Sequence, residues 1–285
     1  MDIPYEKKGY LLEDYRLFHL RGAQGVKAEF HYHEFCKLLI LVSGSGSYNV
    51  EGRRYDLQAG DIVLVGSRCV HRPEFAPDSP YERMIVYIDP EFLQRTSTSD
   101  WDLSECFSGK FGHVLRPTNP QRLISLALAL EQDLADPEPG RILLSESSLL
   151  RLLVKIGREM NHHGALHPTS LQPKDSRVAQ IQHYIDLHAA EDLSIDYLAA
   201  HFFLSKYHMM RLFRSDTGMS INGYILQRRL MLARELISGG MSATEACFQA
   251  GFGSYSSFTR AYNKYFGVTP TGRQISAAQL DATYE

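Results

Sequence analysis

Three histidines and a lysine are the residues of the N-terminal third best suited to chemistry. His31 and His33 stand two apart, and Lys37 follows four further on. In an extended segment side chains alternate between faces, so His31, His33, Phe35 and Lys37 point the same way. With His71 added, three imidazoles could hold zinc, iron or a similar ion and leave one coordination position open. An ammonium at position 37 argues against that, because it repels a cation and stands where a carboxylate ligand would help. The other chemistry open to these residues is recognition of an acidic or polyhydroxylated small molecule by a buried cation. Tyr48, His71, Arg72 and Tyr87 are further contributors.

A second constellation lies in the last third. Lys206, Tyr207, Met210, Arg211 and Arg214 recur at helical spacing, opposite the apolar Met209, Leu212 and Phe213. Tyr255, Ser256, Thr259 and Arg260 do the same, opposite Phe258, Ala261 and Tyr262. A helix anchored by its apolar side can enter the DNA major groove with the other. There arginine takes guanine O6 and N7, serine and tyrosine reach bases or phosphates, and the helix N-terminal amides add phosphate contacts.

The elements that must carry these groups follow from period and turn residues. Up to about residue 115 the apolar runs are short, 38–42, 62–65 and 83–88, broken by Ser43 to Ser47 and Gly60-Asp61, and Ser47 to Val50 leads through a Glu51-Gly52 hairpin signal into Arg53 to Asp56. Short strands so closely spaced predict a β-barrel or sandwich. The aromatic N-terminal segment with Tyr5, Tyr10, Tyr15 and Phe18 either covers a pocket there or is the first strand. The period then changes. Asn119-Pro120 opens a helix carrying Leu123, Leu126, Leu130 and Leu134, and a leucine-rich helix spans 142–160. That second helix packs on its own barrel or shares in a dimer interface. Residues 161–175, with His162, His163 and His167, read as a linker. Domains are therefore expected at 1–160 and 176–285.

The final domain contains an internal repeat. One copy runs from Ser194 to Ser220 and the other from Ser242 to Thr269, with Ser205 matching Ser254, Arg211 matching Arg260, Phe213 matching Tyr262 and Gly218 matching Gly267. Ser194, Ser242, Ser205 and Ser254 are good helix N-caps, and Gly251 can take positive φ in the second turn. One helix over 221–237 joins the copies. Two helix-turn-helix motifs in register are a far stronger signal for DNA than one.

Composition agrees. The 285 residues are 44% hydrophobic and 22% charged, as in a globular chain with a sizeable core. No apolar run reaches membrane-spanning length and the first residues lack a signal-peptide core, so no membrane partner and a cytoplasmic location are expected. Cys36, Cys69, Cys106 and Cys247 form no C-x-x-C pair, against a disulfide framework or thiolate cluster. Net charge is −3, yet residues 174–274 carry eleven Lys and Arg against eight Asp and Glu. The DNA-reading third is the basic part.

The segment from Arg177 to Gln274 resembles the DNA-binding domain of the AraC/XylS family of transcription regulators. The resemblance rests on Leu198-Ala199, Ser205, Arg211 to Phe213, Gly218, Tyr224, Arg229, Ala233, the Ala250 to Phe252 turn, Phe258, Arg260 and Gly267 to Pro270. It implies base or phosphate contacts by Lys206, Tyr207, Met210, Arg211, Tyr255, Ser256 and Arg260. Ala243 departs from the family's usual Ile, and Pro270 to Gln274 from its closing Pro-x-x-x-Arg. The N-terminal domain resembles cupin-like sensor domains of the same family. Gly25-x5-His31-x-His33 fits the first cupin motif; Gly60-Asp61 and His71 fit the second. Where metal cupins place a Glu, this chain has Lys37 and Leu38. The expected fold is α+β: a cupin-like β-barrel with two following helices, then an all-α domain with two helix-turn-helix motifs joined by a helix. The expected function is a DNA-binding transcription regulator that responds to a carbohydrate or related polar metabolite. Expected partners are double-stranded promoter DNA, the effector, a second copy of the chain and, for an activator, RNA polymerase. No catalytic residue, metal or cofactor is assigned. The alternative is a metal-dependent cupin enzyme with an appended DNA-binding domain.

Overall fold

A computed structural model describes residues 6–22, 26–75, 80–109, 112–163, 176–266 and 268–271. The chain divides into two compact units, Met1–Leu171 and Gln172–Glu285.

The first unit is two sheets and a layer of helices. Its strands are β1 (Glu6–Lys7), β2 (Tyr15–Gly22), β3 (Val26–Lys27), β4 (His31–Tyr32), β5 (Cys36–Ser43), β6 (Ser45–Val50), β7 (Arg53–Gln58), β8 (Ile62–Val65), β9 (His71–Phe75), β10 (Tyr81–Ile88) and β11 (Val114–Leu115). One sheet runs β1-β4-β9-β6-β7 with β3 also on β9, and the other runs β11-β8-β5-β10-β2. Among the described residues the pairing does not close into one ring, so the expected barrel is a sandwich. One outer strand of each sheet, β1 and β11, has only two residues, whereas the other outer strands, β7 and β2, have six and eight.

The run Leu38 to Leu41 is apolar throughout because β5 is buried on both faces. Leu38 and Ile40 pack towards helices, while Leu39 and Leu41 face the other sheet. Those helices are α1 (Pro90–Thr96), α2 (Pro120–Ala135) and α3 (Arg141–His163). Asn119 caps α2 by accepting from the Arg122 amide at 3.3 Å, with Pro120 in the first turn. Leu149, Leu152, Leu153 and Ile156 of α3 are fully buried in this layer, each worth about 2 kcal/mol of apolar burial. The leucine-rich helix thus packs on its own domain along most of its length. Ile142, Leu143 and Leu144 in its first turn are left 51–74% exposed.

The β6–β7 hairpin turns at Glu51-Gly52, both with positive φ (51° and 75°), the geometry that suits a two-residue hairpin. Glu51 tolerates that backbone because its buried carboxylate accepts from the Val70 amide at 2.6 Å. Tyr15 and Phe18 belong to β2, which settles the aromatic segment as a strand there. Tyr10 is exposed, and Tyr5 lies outside the described residues.

The second unit is helical: α4 (Ser176–His188), α5 (Ile195–His201), α6 (Lys206–Thr217), α7 (Ile221–Ser238), α8 (Ala243–Gln249) and α9 (Tyr255–Phe266). It has two apolar centres that share α7. Ile221, Tyr224 and Ile225 pack with α4, α5 and α6; Leu230 and Ala233 pack with α8 and α9. Ser194 caps α5 through the Tyr197 amide, and Ser242 with Glu245 forms a reciprocal capping box on α8. Ser205 stands at the N-cap of α6 but makes no side-chain cap bond, whereas the Ser254 hydroxyl accepts from the Ser257 amide.

Two features join the motifs. Arg229 on α7 donates to the carbonyls of Ala189 (2.7 Å) and Glu191 (2.8 Å), just past α4. Gly251, at φ +85°, lies so close to Ala190 that a Cβ would sit 2.5 Å from that residue's carbonyl oxygen. Gly251 therefore needs both its positive φ and its missing side chain. Gly267, matched above to Gly218, lies outside the described residues.

Candidate functional site

The inner face of the sandwich gathers the N-terminal candidates. His31 and His71 are backbone partners across β4 and β9, and Lys37 pairs with Tyr87 across β5 and β10. Ring centres lie 4.4 Å apart for His31 and His71, 5.0 Å for His31 and His33, and 4.9 Å for His33 and His71. His33 stacks on Phe35 at 4.5 Å, and Phe35 meets the Tyr87 ring at a tilt of 30° with centres 4.2 Å apart. Tyr48 stacks on His71 at 5.9 Å. Five of the seven predicted side chains, His31, His33, Lys37, Tyr48 and His71, are buried here, and Tyr87 is half-buried.

Arg72 is a correction. Alternation along β9 turns His71, Pro73 and Phe75 inward and Arg72 outward, where its guanidinium covers the Phe30 ring at 4.2 Å. The arginine that faces inward is Arg83. It shares the parity of Tyr87 on β10, is 9% exposed, and lies 5.0 Å from the ring centres of both Phe75 and Tyr81. That parity was the signal available in sequence.

Each imidazole is oriented from behind. Nδ1 of His31 donates to the Glu29 carbonyl at 2.7 Å, that of His71 to Cys69 at 3.0 Å, and that of His33 to Lys8. Burial and the nearby Lys37 push His33 down to about 3 and His71 well below its ordinary value, so both rings are neutral. Burial, with Arg83 adding repulsion, lowers Lys37 to about 7. One nitrogen from each of the three histidines falls within 4.8 Å of the others, a set that could take a metal ion. The surroundings fit such an ion poorly. No carboxylate joins the three rings among the described residues, and the nearest charged groups are cationic. Asp61 of the second cupin motif is buried and engaged elsewhere, held by Arg116 through two 2.8 Å bonds.

The second unit presents the other candidates as the helical period predicts. On α6, Met209 and Phe213 are buried, whereas Lys206, Tyr207, Met210, Arg211 and Arg214 are exposed, Tyr207 to 85%. Lys206 reaches Asp196 at 3.0 Å. On α9, Phe258 and Tyr262 are buried and Tyr255, Ser256 and Arg260 exposed. Thr259 is half-buried and donates back to the Tyr255 carbonyl at 2.9 Å, so its hydroxyl is less available than the period alone suggests. Arg228, Arg229 and Arg234 on α7 are engaged within the unit: with Asp186 at 2.7 Å, with the two carbonyls beyond α4, and over the Phe266 ring at 4.8 Å.

Two family models cover the two units. An AraC-like ligand binding domain matches residues 17–153, and a helix-turn-helix domain matches 198–273. The chain belongs to the AraC/XylS family. Among curated relatives it is 25% identical over 243 residues to the HTH-type transcriptional activator RhaS of Enterobacter sp. (strain 638), covering 84% of this chain and 85% of the relative. It is 26% identical over 257 residues to the HTH-type transcriptional activator RhaR of Cronobacter sakazakii, covering 88% and 87%. Of solved structures, ToxT from Vibrio cholerae matches at a TM-score of 0.37 and 13% identity over 90% of this chain and 92% of that one. This AraC/XylS protein is thus a transcription regulator with a ligand-binding domain and a DNA-binding domain, and no described helix is long and apolar enough to cross a membrane.

Proposed function

We propose that this regulator reads promoter DNA with α6 and α9, and that a small polar molecule on the inner face of the N-terminal sandwich controls that reading. The observation that carries the proposal is the pair of helices with outward side chains free of core duty. Lys206, Tyr207, Met210, Arg211 and Arg214 act from α6; Tyr255, Ser256 and Arg260 act from α9, and Thr259 joins them as an acceptor only, because its hydroxyl hydrogen is committed to the Tyr255 carbonyl. His31, His33, Lys37, Tyr48, His71 and Tyr87 bind the effector, joined by Arg83 and without Arg72. The protein works in the cytoplasm and catalyses no reaction. The exposed Ile142, Leu143 and Leu144 support self-association into a dimer. Its relatives RhaS and RhaR are named activators, which supports activation through RNA polymerase here.

The test is fluorescence anisotropy of the full chain on DNA upstream of its own and neighbouring genes, titrated with salt. The expected result is tight binding to one such fragment, weakening linearly on a log–log plot as phosphate counterions are released. Binding no stronger than to shuffled DNA at every salt concentration would overturn the proposal.

A further inference from the structure

Polar groups of two complementary kinds line the inner face of the sandwich. Lys37 and Arg83 are 6% and 9% exposed, and among the described residues neither forms an ion pair or hydrogen bond. Their contacts are aromatic faces: Lys37 lies 5.7 Å from the Tyr48 ring centre and 6.0 Å from that of Tyr87, and Arg83 sits against Phe75 and Tyr81. The second kind is an acceptor. His33 and His71 spend their Nδ1 hydrogens on backbone carbonyls, so in the neutral rings Nε2 carries only a lone pair. Both Nε2 atoms are buried without a partner, and so is the Tyr48 hydroxyl on the same face.

An unpaired buried cation is costly, and so is an unpaired buried acceptor. A neutral sugar would bring O–H donors to the imidazoles and leave the cations unanswered. A plain carboxylic acid would answer the cations and leave the imidazoles. A metal ion would satisfy the imidazoles and add repulsion to two cations. One kind of molecule meets both demands.

We propose that the effector is a small polyhydroxylated anion, a hydroxy carboxylate or a sugar phosphate, with its anionic group on Lys37 and Arg83 and its hydroxyls on His33, His71 and Tyr48. This rests on the reading of the N-terminal domain as the sensor. The two sources share an anionic oxygen group beside O–H donors, and the test separates them.

The full chain is melted alone and with 10 mM of each probe: D-gluconate, D-galacturonate and D-glucose 6-phosphate; the neutral D-galactose and sorbitol; and hexanoate, an acid without hydroxyls. At least one polyhydroxylated anion is expected to raise the melting temperature by several degrees, with no shift from the neutral compounds or hexanoate. Carboxylates alone, or the phosphate alone, would name the anion. Lys37→Met and Arg83→Met should each weaken that probe at least tenfold. Without ligand both variants should melt at or above the parent, because each removes an unpaired buried cation; this shows that they fold. An equal shift from a neutral sugar, no shift from any polyhydroxylated anion, or full binding by both variants would overturn the proposal. Stoichiometric metal in the purified protein, lost in His71→Gln, would overturn it as well, because the acceptors would then already be met. A neutral compound that shifts the melt and alters DNA binding refutes this inference and leaves the regulator reading intact. An anion that binds as described while DNA binding is absent does the reverse.

Discussion

The two helix-turn-helix copies treat one backbone position in opposite ways, and the difference gives predictions of opposite sign. Phe203 in the first turn corresponds to Gly251 in the second. Both have positive φ, 53° and 85°. Phe203 is 95% exposed, so Phe203→Gly gives up almost no burial. It relieves about 1–2 kcal/mol of left-handed strain and returns about 0.5–1 kcal/mol as extra freedom in the unfolded chain. The net expectation is a stabilisation of about 0.5–1 kcal/mol, or roughly 2–6 °C in the melting of a unit this size. Gly251→Ala meets the same strain and then a collision. Its Cβ would lie 2.5 Å from the Ala190 oxygen and 2.8 Å from that residue's carbonyl carbon and Cα, backbone atoms that cannot swing aside. Strain and overpacking together predict a loss of about 2–5 kcal/mol. Calorimetry of the full chain, following the transition of the DNA-binding unit, measures both. A lower melting temperature for Phe203→Gly, or a Gly251→Ala protein within about 1 kcal/mol of the parent, would refute the reasoning.

Arg211→Ala should cost about 1–3 kcal/mol of sequence-specific affinity and Ser256→Ala markedly less, because α6 presents the longer polar groups; anisotropy at one fixed salt concentration compares them, and equal losses would sink the ranking. Acid should destabilise the N-terminal unit through His113, which is buried against the Leu64 carbonyl (3.2 Å) and held down to about 4 by that burial. The unfolded chain takes up the proton first, so stability falls as pH drops from about 6.5 to 4, by roughly 3 kcal/mol for a shift of that size. His113→Asn should make that part of the pH–stability curve, measured by urea unfolding, less steep, with His33 and His71, also kept neutral by burial, supplying the slope that remains. On the proposed self-association through the first turn of α3, Leu143→Glu should shift the chain towards monomer with little change in melting temperature, since Leu143 is 74% exposed in the isolated chain; a parent protein already monomeric in sedimentation velocity would refute it.

Much of this architecture could be read from period and caps. The repeat, its Ser194 and Ser242 caps, the positive φ at Gly251 and the outward faces of α6 and α9 are local properties of the chain, and they appear as expected. The misreadings all depend on what lies across from a residue. His71 and Arg72 are neighbours in sequence, and a strand sends neighbours to opposite faces. Arg83 stands at the head of an apolar run, and only its parity with Tyr87 places it inside. A helical face marks Thr259 as outward, but only the folded helix shows its hydroxyl turned back to Tyr255. Whether the strands close into a barrel depends on edge pairing between distant segments, which alternation along a single strand does not encode.

The backbone contact between Gly251 and Ala190, with Arg229 bracing the adjoining carbonyls, has a consequence for the operator. It limits how far the second motif can swivel about the first. With α6 and α9 reading DNA as proposed, the two helices would act as a calliper: one base pair inserted between their subsites turns one subsite about 34–36° round the duplex axis, a rotation that this contact opposes. On that proposal, spacer length would matter to operator choice alongside the bases.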